Sequence, residues 1–338
     1  ANARVRNLVE NEELWFVPTM NPDGYMLNRR GNSRGVDLNR NFPEGTLGQP
    51  NTITGREQET ANIMQWTWAH SFTLSVGYHG GALVVNYPFD NDGHGSTFSP
   101  TPDEDMFVYI SEEYSRYNPP MWNGAGGFYH GITNGAAWYS ISGGMQDWHY
   151  RYEGCNDVTI EVSLSKSPPW SQIPTFWNEN RDSMLAWMET ALIGVRGLVT
   201  DSRTNRPLDA TVSVVGRNHP IYTDPDVGDY HRMLLPGTYQ LRFEATGYDP
   251  VIRPVTVTAG PATRLDVRLG PGWLRGDMNC DDVVNFDDIN PFVLALSNPA
   301  GYAAAYPQCD IMNGDVNGDG RVDFDDINPF VALLAGTH

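Results

Sequence analysis

Cysteine is scarce in this chain: Cys155, Cys280 and Cys309 are the three present in 338 residues, too few for a disulfide framework. None of them forms a C-x-x-C pair, which argues against a cysteine zinc site and leaves room for one bridge. Basic charge is scarce as well. With 22 Lys and Arg against 41 Asp and Glu the formal net charge is −19, so partners that require a basic face, such as non-specific nucleic acid or an anionic membrane surface, are not expected. No run of apolar residues approaches the ~18 needed for a membrane span, and the N-terminus lacks the basic-then-apolar layout of a signal peptide. If the protein is exported, its signal lies outside these residues.

What the chain does contain is globular in composition. An apolar fraction of 40% with 10 Trp supports a sizeable core, and 34 Gly with 24 Pro imply many turns and linkers. The length exceeds what one core usually supports, so two or three domains are expected. Residues 1–193 alternate apolar runs with amphipathic stretches. Glu13–Met20, Phe72–His79 and Asp157–Leu164 read as strands, and 55–70, 102–118 and 174–194 as helices, which predicts an α/β domain with a mostly parallel or mixed sheet. Ligand sites in such sheets gather at the carboxyl ends of strands, where "YHGG" and "TMNPDG" fall. Residues 194–270 switch to short alternating runs separated by turns, the pattern of a small all-β sandwich, and its histidines, His219 and His231, have no nearby set of catalytic partners.

Residues 271–338 hold eleven Asp and no Glu against Arg275 and Arg321, concentrating about half the net charge in the last fifth of the chain. They also hold a repeat: "GDMNCDDVVNFDDINPFV" from Gly276 returns as "GDVNGDGRVDFDDINPFV" from Gly314. Oxygen side chains recur at alternate positions, Asp277, Asn279, Asp281, Asn285 and Asp288 in one copy and Asp315, Asn317, Asp319, Asp323 and Asp326 in the other. A tight loop turns such oxygens inward for a hard cation, with backbone carbonyls from Val283 and Arg321, so two calcium ions are expected. Gly320 permits the sharp turn in the second loop, and Asp282 stands there in the first. The segment closely resembles a type I dockerin, a small α-helical calcium-loop module. That resemblance implies a cohesin-like partner bound through helices beginning near Ile289 and Ile327. A bridge between Cys280 and Cys309 would imply an oxidising setting.

The stretch "FVPTMNPDGYMLNRRGNSRGVDLNRNFP" places Arg29, Arg30, Arg34 and Arg40 among turn residues of an acidic protein. Clustered guanidinium forks on loops suit a carboxylate. With "YHGGALVVNYPFD", "NGAAWYSISGGMQDWHY" and "NDVTIEVSLSKSPP" it resembles the M14 zinc carboxypeptidases, in particular the subfamily of carboxypeptidases N, E and D, and the sandwich resembles their transthyretin-like, regulatory domain. The resemblance implies His79 as a zinc ligand, Glu161 as general acid/base and Arg30 as oxyanion stabiliser. It further implies Asn39 and Arg40 as the holders of the substrate's terminal carboxylate, Tyr139 as a closing tyrosine, and Asp90 with Gln146 as a pocket for C-terminal Lys or Arg. Arg29 and Arg34 are expected to be solvated or salt-bridged, and His94, His130 and His149 to serve in hydrogen bonds.

The family's other two zinc ligands come as H-x-x-E, and the chain contains no H-x-x-E. The expectation is therefore an incomplete catalytic domain, missing its first strands, that holds zinc weakly and is inactive alone, with apolar surface left exposed on one side of the sheet. Two functions follow: an extracellular or cell-surface zinc carboxypeptidase tethered by its dockerin and acting on peptides with a free C-terminus, or a catalytically silent protein that binds through its dockerin and sandwich.

Overall fold

A four-stranded sheet organises the N-terminal part of the molecule. Its strands are β1 (Leu74–His79), β2 (Ala82–Tyr87), β3 (Ile132–Asn134) and β4 (Asn156–Ser163), in the order β1-β4-β2-β3. β1 runs parallel to β4, β2 antiparallel to β4, and β3 parallel to β2, the mixed sheet expected from the sequence. β2 is buried at all six positions. A strand covered on both faces has no reason to alternate, which is why this short apolar run carries little periodic signal.

Helices α1 (Ala3–Asn11), α2 (Gln58–Trp68), α3 (Glu104–Ser115) and α4 (Ile173–Glu189) flank the sheet's residues in sequence. On α3 the buried positions Met106, Phe107, Ile110, Ser111, Tyr114 and Ser115 recur every three to four residues and form one stripe, which joins Leu83, Val85, Tyr87, Val158 and Ile160 of the sheet in a common core. Glu13–Met20, read from the sequence as a strand, is not one: it has no ladder partner, Pro18 lacks a donor, and Trp15, Phe16 and Val17 are exposed.

The computed structural model describes residues 2–202, 204–270, 274–281, 283–307 and 309–335, and the expectation for Asp282 lies outside them. It divides into two compact units. The first comprises Ala1–Thr200, Arg206–Phe243 and Ile252–Val267, the second Asp201–Asn205, Glu244–Val251 and Arg268–His338.

The β-rich region contains β5 (Val195–Asp201), β6 (Ala210–Val214), β7 (Pro220–Tyr222), β8 (Asp229–Arg232), β9 (Gly237–Ala245), β10 (Val251–Val257) and β11 (Thr263–Arg264). One sheet has the order β10-β9-β6-β7, and in the other β5 lies between β11 and β12 (Val267–Leu269) and also pairs with β8. Alternation is plain on β6, where Ala210, Val212 and Val214 are buried and the residues between them are not. β7 and β8, with three and four residues, are too short to show it from the sequence.

Within the first unit this region is joined to α3 by charge. Arg232, fully buried, donates from Nη2 to both oxygens of Asp103 (2.7 and 2.8 Å), and Arg217 Nη1 donates to Asp103 Oδ1 (2.9 Å). The Tyr150 hydroxyl donates to Asp103 Oδ2 (2.9 Å), and the Tyr150 ring stacks on His219 at 3.8 Å.

In the second unit α5 (Ile289–Ser297), α6 (Pro299–Ala305) and α7 (Ile327–Leu334) surround Met278, Phe292, Ala295, Tyr302 and Phe330. Phe292 stacks on Phe330 at 4.2 Å, and Cys280 and Cys309 are bridged, with Cα atoms 5.8 Å apart.

Burial by itself would raise the Asp103 carboxyl, but Arg232 and Arg217 outweigh it and hold it below the usual range. Its stabilising contribution is therefore present above the ordinary carboxylate range and lost as pH falls through the lowered value. Asp103→Ala leaves a buried guanidinium unpaired and is expected to cost about 3–5 kcal/mol in urea unfolding, most of it recovered by the apolar pair Asp103→Leu with Arg232→Met. An unchanged midpoint for Asp103→Ala would refute the pairing.

Candidate active site

Backbone register builds the centre of this site. Across the parallel ladder His79, the last residue of β1, is the partner of Glu161 on β4, so the two side chains leave the same face of the sheet side by side. Gly77 lies two residues earlier on that face, and a methyl group added there would make ordinary contact with the imidazole, 3.8 Å from His79 Nε2 and 3.8 Å from Met145 Cε. Glu161 is buried, and its Oε2 has no hydrogen-bond partner among the described residues.

Burial raises the Glu161 carboxyl above the usual range, and the nearby charges of Arg30 and Lys166 partly oppose it. Burial likewise lowers His79, helped by Arg30 and Arg40 and opposed by Asp37 and Asp157. Arg30 is thus electrostatically near both members of the pair.

Asp37 organises the arginine loop. One of its oxygens accepts from Arg30 Nε (2.7 Å) and the other from the Asn39 backbone N–H (3.1 Å), capping the short turn Leu38–Arg40. Asn39 Oδ1 in turn accepts from the Met145 N–H (2.9 Å), which leaves its Nδ2 without a partner among the described residues and available to a ligand oxygen. Arg40 is exposed, with Nη1 donating to the Asn39 carbonyl (2.7 Å).

Asn39 is thereby tied to the short helix Met145–Trp148, which carries Gln146 and Asp147. Both amide atoms of Gln146 are buried and have no partner among the described residues. Asp90 is buried on the loop after β2, and its Oδ1 accepts from Asn86 Nδ2 (3.1 Å). Two glycines bound its carboxylate: a methyl group at Gly135 would lie 2.0 Å from Asp90 Oδ1, and one at Gly144 would lie 3.1 Å from Asp90 Oδ2 and 3.8 Å from Asn39 Oδ1. Burial pushes the Asp90 carboxyl up to about 7, against the pull of Asn86 and Arg40, and Glu44 and Asp157 push the same way as burial. Tyr139, half exposed, follows the turn Gly135–Trp138, and two residues on the Ile141 N–H donates to the Asp90 carbonyl (3.2 Å).

The structure therefore brings His79, Glu161 and Arg30 into one neighbourhood and links Asn39, Gln146 and Asp90 through Met145–Trp148 and Gly144. Sequence reasoning did not single out Asp37, Asp147, Gly135 or Gly144, which act by holding or making room for other groups. A G-G-x-x-D run and an Asp two residues before Asn39 were the available signals. The bystanders are as expected: Arg34 pairs with Glu57 (3.4 Å), His130 with Glu112 (2.8 Å) and His94 with Asp92 (3.2 Å). His149 bonds Asp157 (2.6 Å) and Thr67 (3.1 Å) in a buried chain.

Zinc does not fit the donors in this chain. His79 is one imidazole, H-x-x-E is missing from the sequence, and among the described residues no three His, Cys, Asp or Glu side chains converge as a metal would require.

The repeated loops offer oxygen donors, the kind a hard cation takes. Both are wound alike. Asp288 accepts from the N–H groups of Met278, Asn279 and Asn285 (2.7, 3.0 and 2.9 Å), and Asp326 from those of Asn317 and Asp323 (both 3.0 Å). Asp281 and Asp319 each bond back to the first and third positions, Asp277 with Asn279 and Asp315 with Asn317. Asn285 and Asp323 complete capping boxes that start the helices at Ile289 and Ile327. Gly320 has the left-handed φ of +87°.

Residues 1–183 match the family model described as zinc carboxypeptidase, and residues 194–270 the one described as carboxypeptidase regulatory-like domain. Human carboxypeptidase D is 43% identical over 285 residues, covering 78% of this chain and 20% of the human protein. The mouse carboxypeptidase N catalytic chain is 38% identical over 308 residues, covering 79% of this chain and 67% of the mouse protein. The chain thus spans about a fifth of the length of the carboxypeptidase D relatives.

By NMR, the His79 imidazole is expected to titrate below the ordinary histidine value of about 6.5, and Arg30→Met is expected to move it upward. A midpoint above the ordinary value would contradict the buried, arginine-flanked placement.

Proposed function

Since the chain belongs to the zinc carboxypeptidase family, peptidase M14, we propose that it carries the substrate-recognition part of a site that removes Lys or Arg from peptide C-termini. The observation that supports this most is the arrangement around Gly144, where a methyl group would approach both Asn39 and Asp90. A C-terminal residue presents a carboxylate and a side chain from one Cα, and a site that selects it needs one donor and one acceptor that close together.

On this reading Asn39 Nδ2 and the Arg40 guanidinium take the carboxylate, and Tyr139 covers it. Asp90 and Gln146 take the ammonium or guanidinium, which would donate to the unpartnered Gln146 Oε1. Arg30 donates to the carbonyl oxygen as negative charge develops there. Glu161 takes up and returns a proton at its unpartnered Oε2, a role suited to a carboxyl raised by burial.

The single imidazole favours a second, silent reading, in which the chain holds C-termini or acts through its dockerin-like and β-rich parts without cleaving. For residues 271–338 we propose a dockerin-type module: the matched loops take calcium, and the helices at Ile289 and Ile327 meet a cohesin-like protein. That setting is extracellular or at the cell surface. Among the described residues no helix is long and apolar enough to cross a membrane.

Three measurements test these proposals. Asp90→Asn is expected to weaken binding of free arginine by about 10- to 100-fold, the worth of a charge-assisted hydrogen bond, with leucine little affected; equal losses for both would remove Asp90 from the pocket. Metal analysis should find about two calcium ions per chain and little zinc. Chelator-sensitive release of arginine from a peptide by the isolated chain would overturn the account of an incomplete zinc site.

A further inference from the structure

Asp147 has no counterpart among the groups that would touch substrate, yet it is tied to Asp90 more closely than any of them. Its Oδ1 accepts from the Asp90 backbone N–H (2.8 Å) and its Oδ2 from the Asn91 N–H (3.1 Å), and all three residues are buried. It sits on the helix Met145–Trp148, whose first N–H is held by Asn39. One carboxylate therefore fixes the backbone that aims Asp90 into the slot between Gly135 and Gly144.

The surroundings are short of positive charge. Arg40, Glu44 and Asp157 act on Asp90, and Arg151 and Asp90 act on Asp147. Two buried carboxylates this close cannot both ionise cheaply. Burial pushes both upward, and the charge of Asp90 pushes Asp147 the same way. Hydrogen bonding decides where the charge rests. Both oxygens of Asp147 accept backbone N–H groups, which favours its ionised form, whereas Asp90 accepts one side-chain amide. The shared proton therefore belongs on Asp90.

We propose that Asp147 is a positioning residue of the specificity pocket, fixing Asp90 through two backbone N–H groups and holding a proton on it that a captured basic side chain expels. This rests on the reading of Asp90 as the acid that takes C-terminal Lys or Arg. No bond other than O–H changes: one proton passes from Asp90 to solvent for each guanidinium bound. Below neutrality the affinity for arginine must rise with pH, because binding has to remove the proton first, and above it the affinity levels off. A merely structural Asp147 would alter affinity equally at every pH.

The test is calorimetric titration of the full chain with free arginine and with leucine between pH 5 and 9. It uses wild type and Asp147→Asn, in two buffers of different ionisation enthalpy. Wild type is expected to release a proton on binding arginine but not leucine. In Asp147→Asn the pH at half-maximal affinity should fall by about one unit, equivalent to about a 10-fold change in affinity on the acid side. Weaker arginine binding with an unmoved midpoint overturns the proposal while leaving Asp90's role intact. Arginine binding no tighter than leucine in wild type at any pH defeats the specificity reading, and this proposal with it. If circular dichroism shows that Asp147→Asn is unfolded, Asp147→Ser replaces it under the same criteria, and wild type that releases no proton overturns the proposal.

Discussion

The parallel ladder between β1 and β4 is the constraint on which the rest of the candidate site depends. Six backbone pairings, from Leu74 with Asn156 to His79 with Glu161, fix which side chains emerge together. A slip of one residue would turn Glu161 to the opposite face while His79 stayed. The register is secured from both sides of β4, because β2 pairs with it antiparallel and sets fully buried Val84 opposite Glu161. A carboxylate that would otherwise be costly to bury is held there by hydrophobic packing that has no tolerance for a shift.

Around that pair the chain uses small residues and backbone hydrogen bonds in place of bulk. Gly135 and Gly144 make room for the Asp90 carboxylate. Asp37 orders the arginine turn, and Asn39 ties that turn to the helix Met145–Trp148. Each contact is modest in free energy, of order 1 kcal/mol. Their effect is to leave particular atoms unsatisfied: the Gln146 amide, Glu161 Oε2 and Asn39 Nδ2. Buried atoms without a partner also occur elsewhere in the fold, on Thr60, Ser111 and Ser183 for example, so those at the site carry meaning only through the groups beside them.

Much of this was legible in the sequence, and the exceptions have physical causes. β1 and β4 announced themselves as runs of β-branched and aromatic residues, and α2, α3 and α4 by helical spacing. Glu13–Met20 has the composition of a strand without a partner, and composition cannot supply the partner. β2 was hidden because burial on both faces erases alternation. The chemical residues His79, Glu161, Asn39 and Asp90 stood out through motif order. Asp147 did not, because its role is to accept two backbone N–H groups from a loop 57 and 56 residues away, a relation with no sequence signature. The paired loops at the C-terminus were readable for the opposite reason: the bonds that wind Asp288 and Asp326 into their loops span ten residues and nine.

Asp103 lies at the N-terminus of α3, within the stretch matched by the carboxypeptidase model, while Arg217 and Arg232 lie within the stretch matched by the regulatory-like model. The family boundary therefore runs through an ion pair, and in the fold both sides of it belong to one compact unit. Heritable units and cooperative units need not coincide. A recombination event that exchanged the β-rich region for a foreign one lacking Arg217 and Arg232 would leave a buried carboxylate without its guanidinium partners.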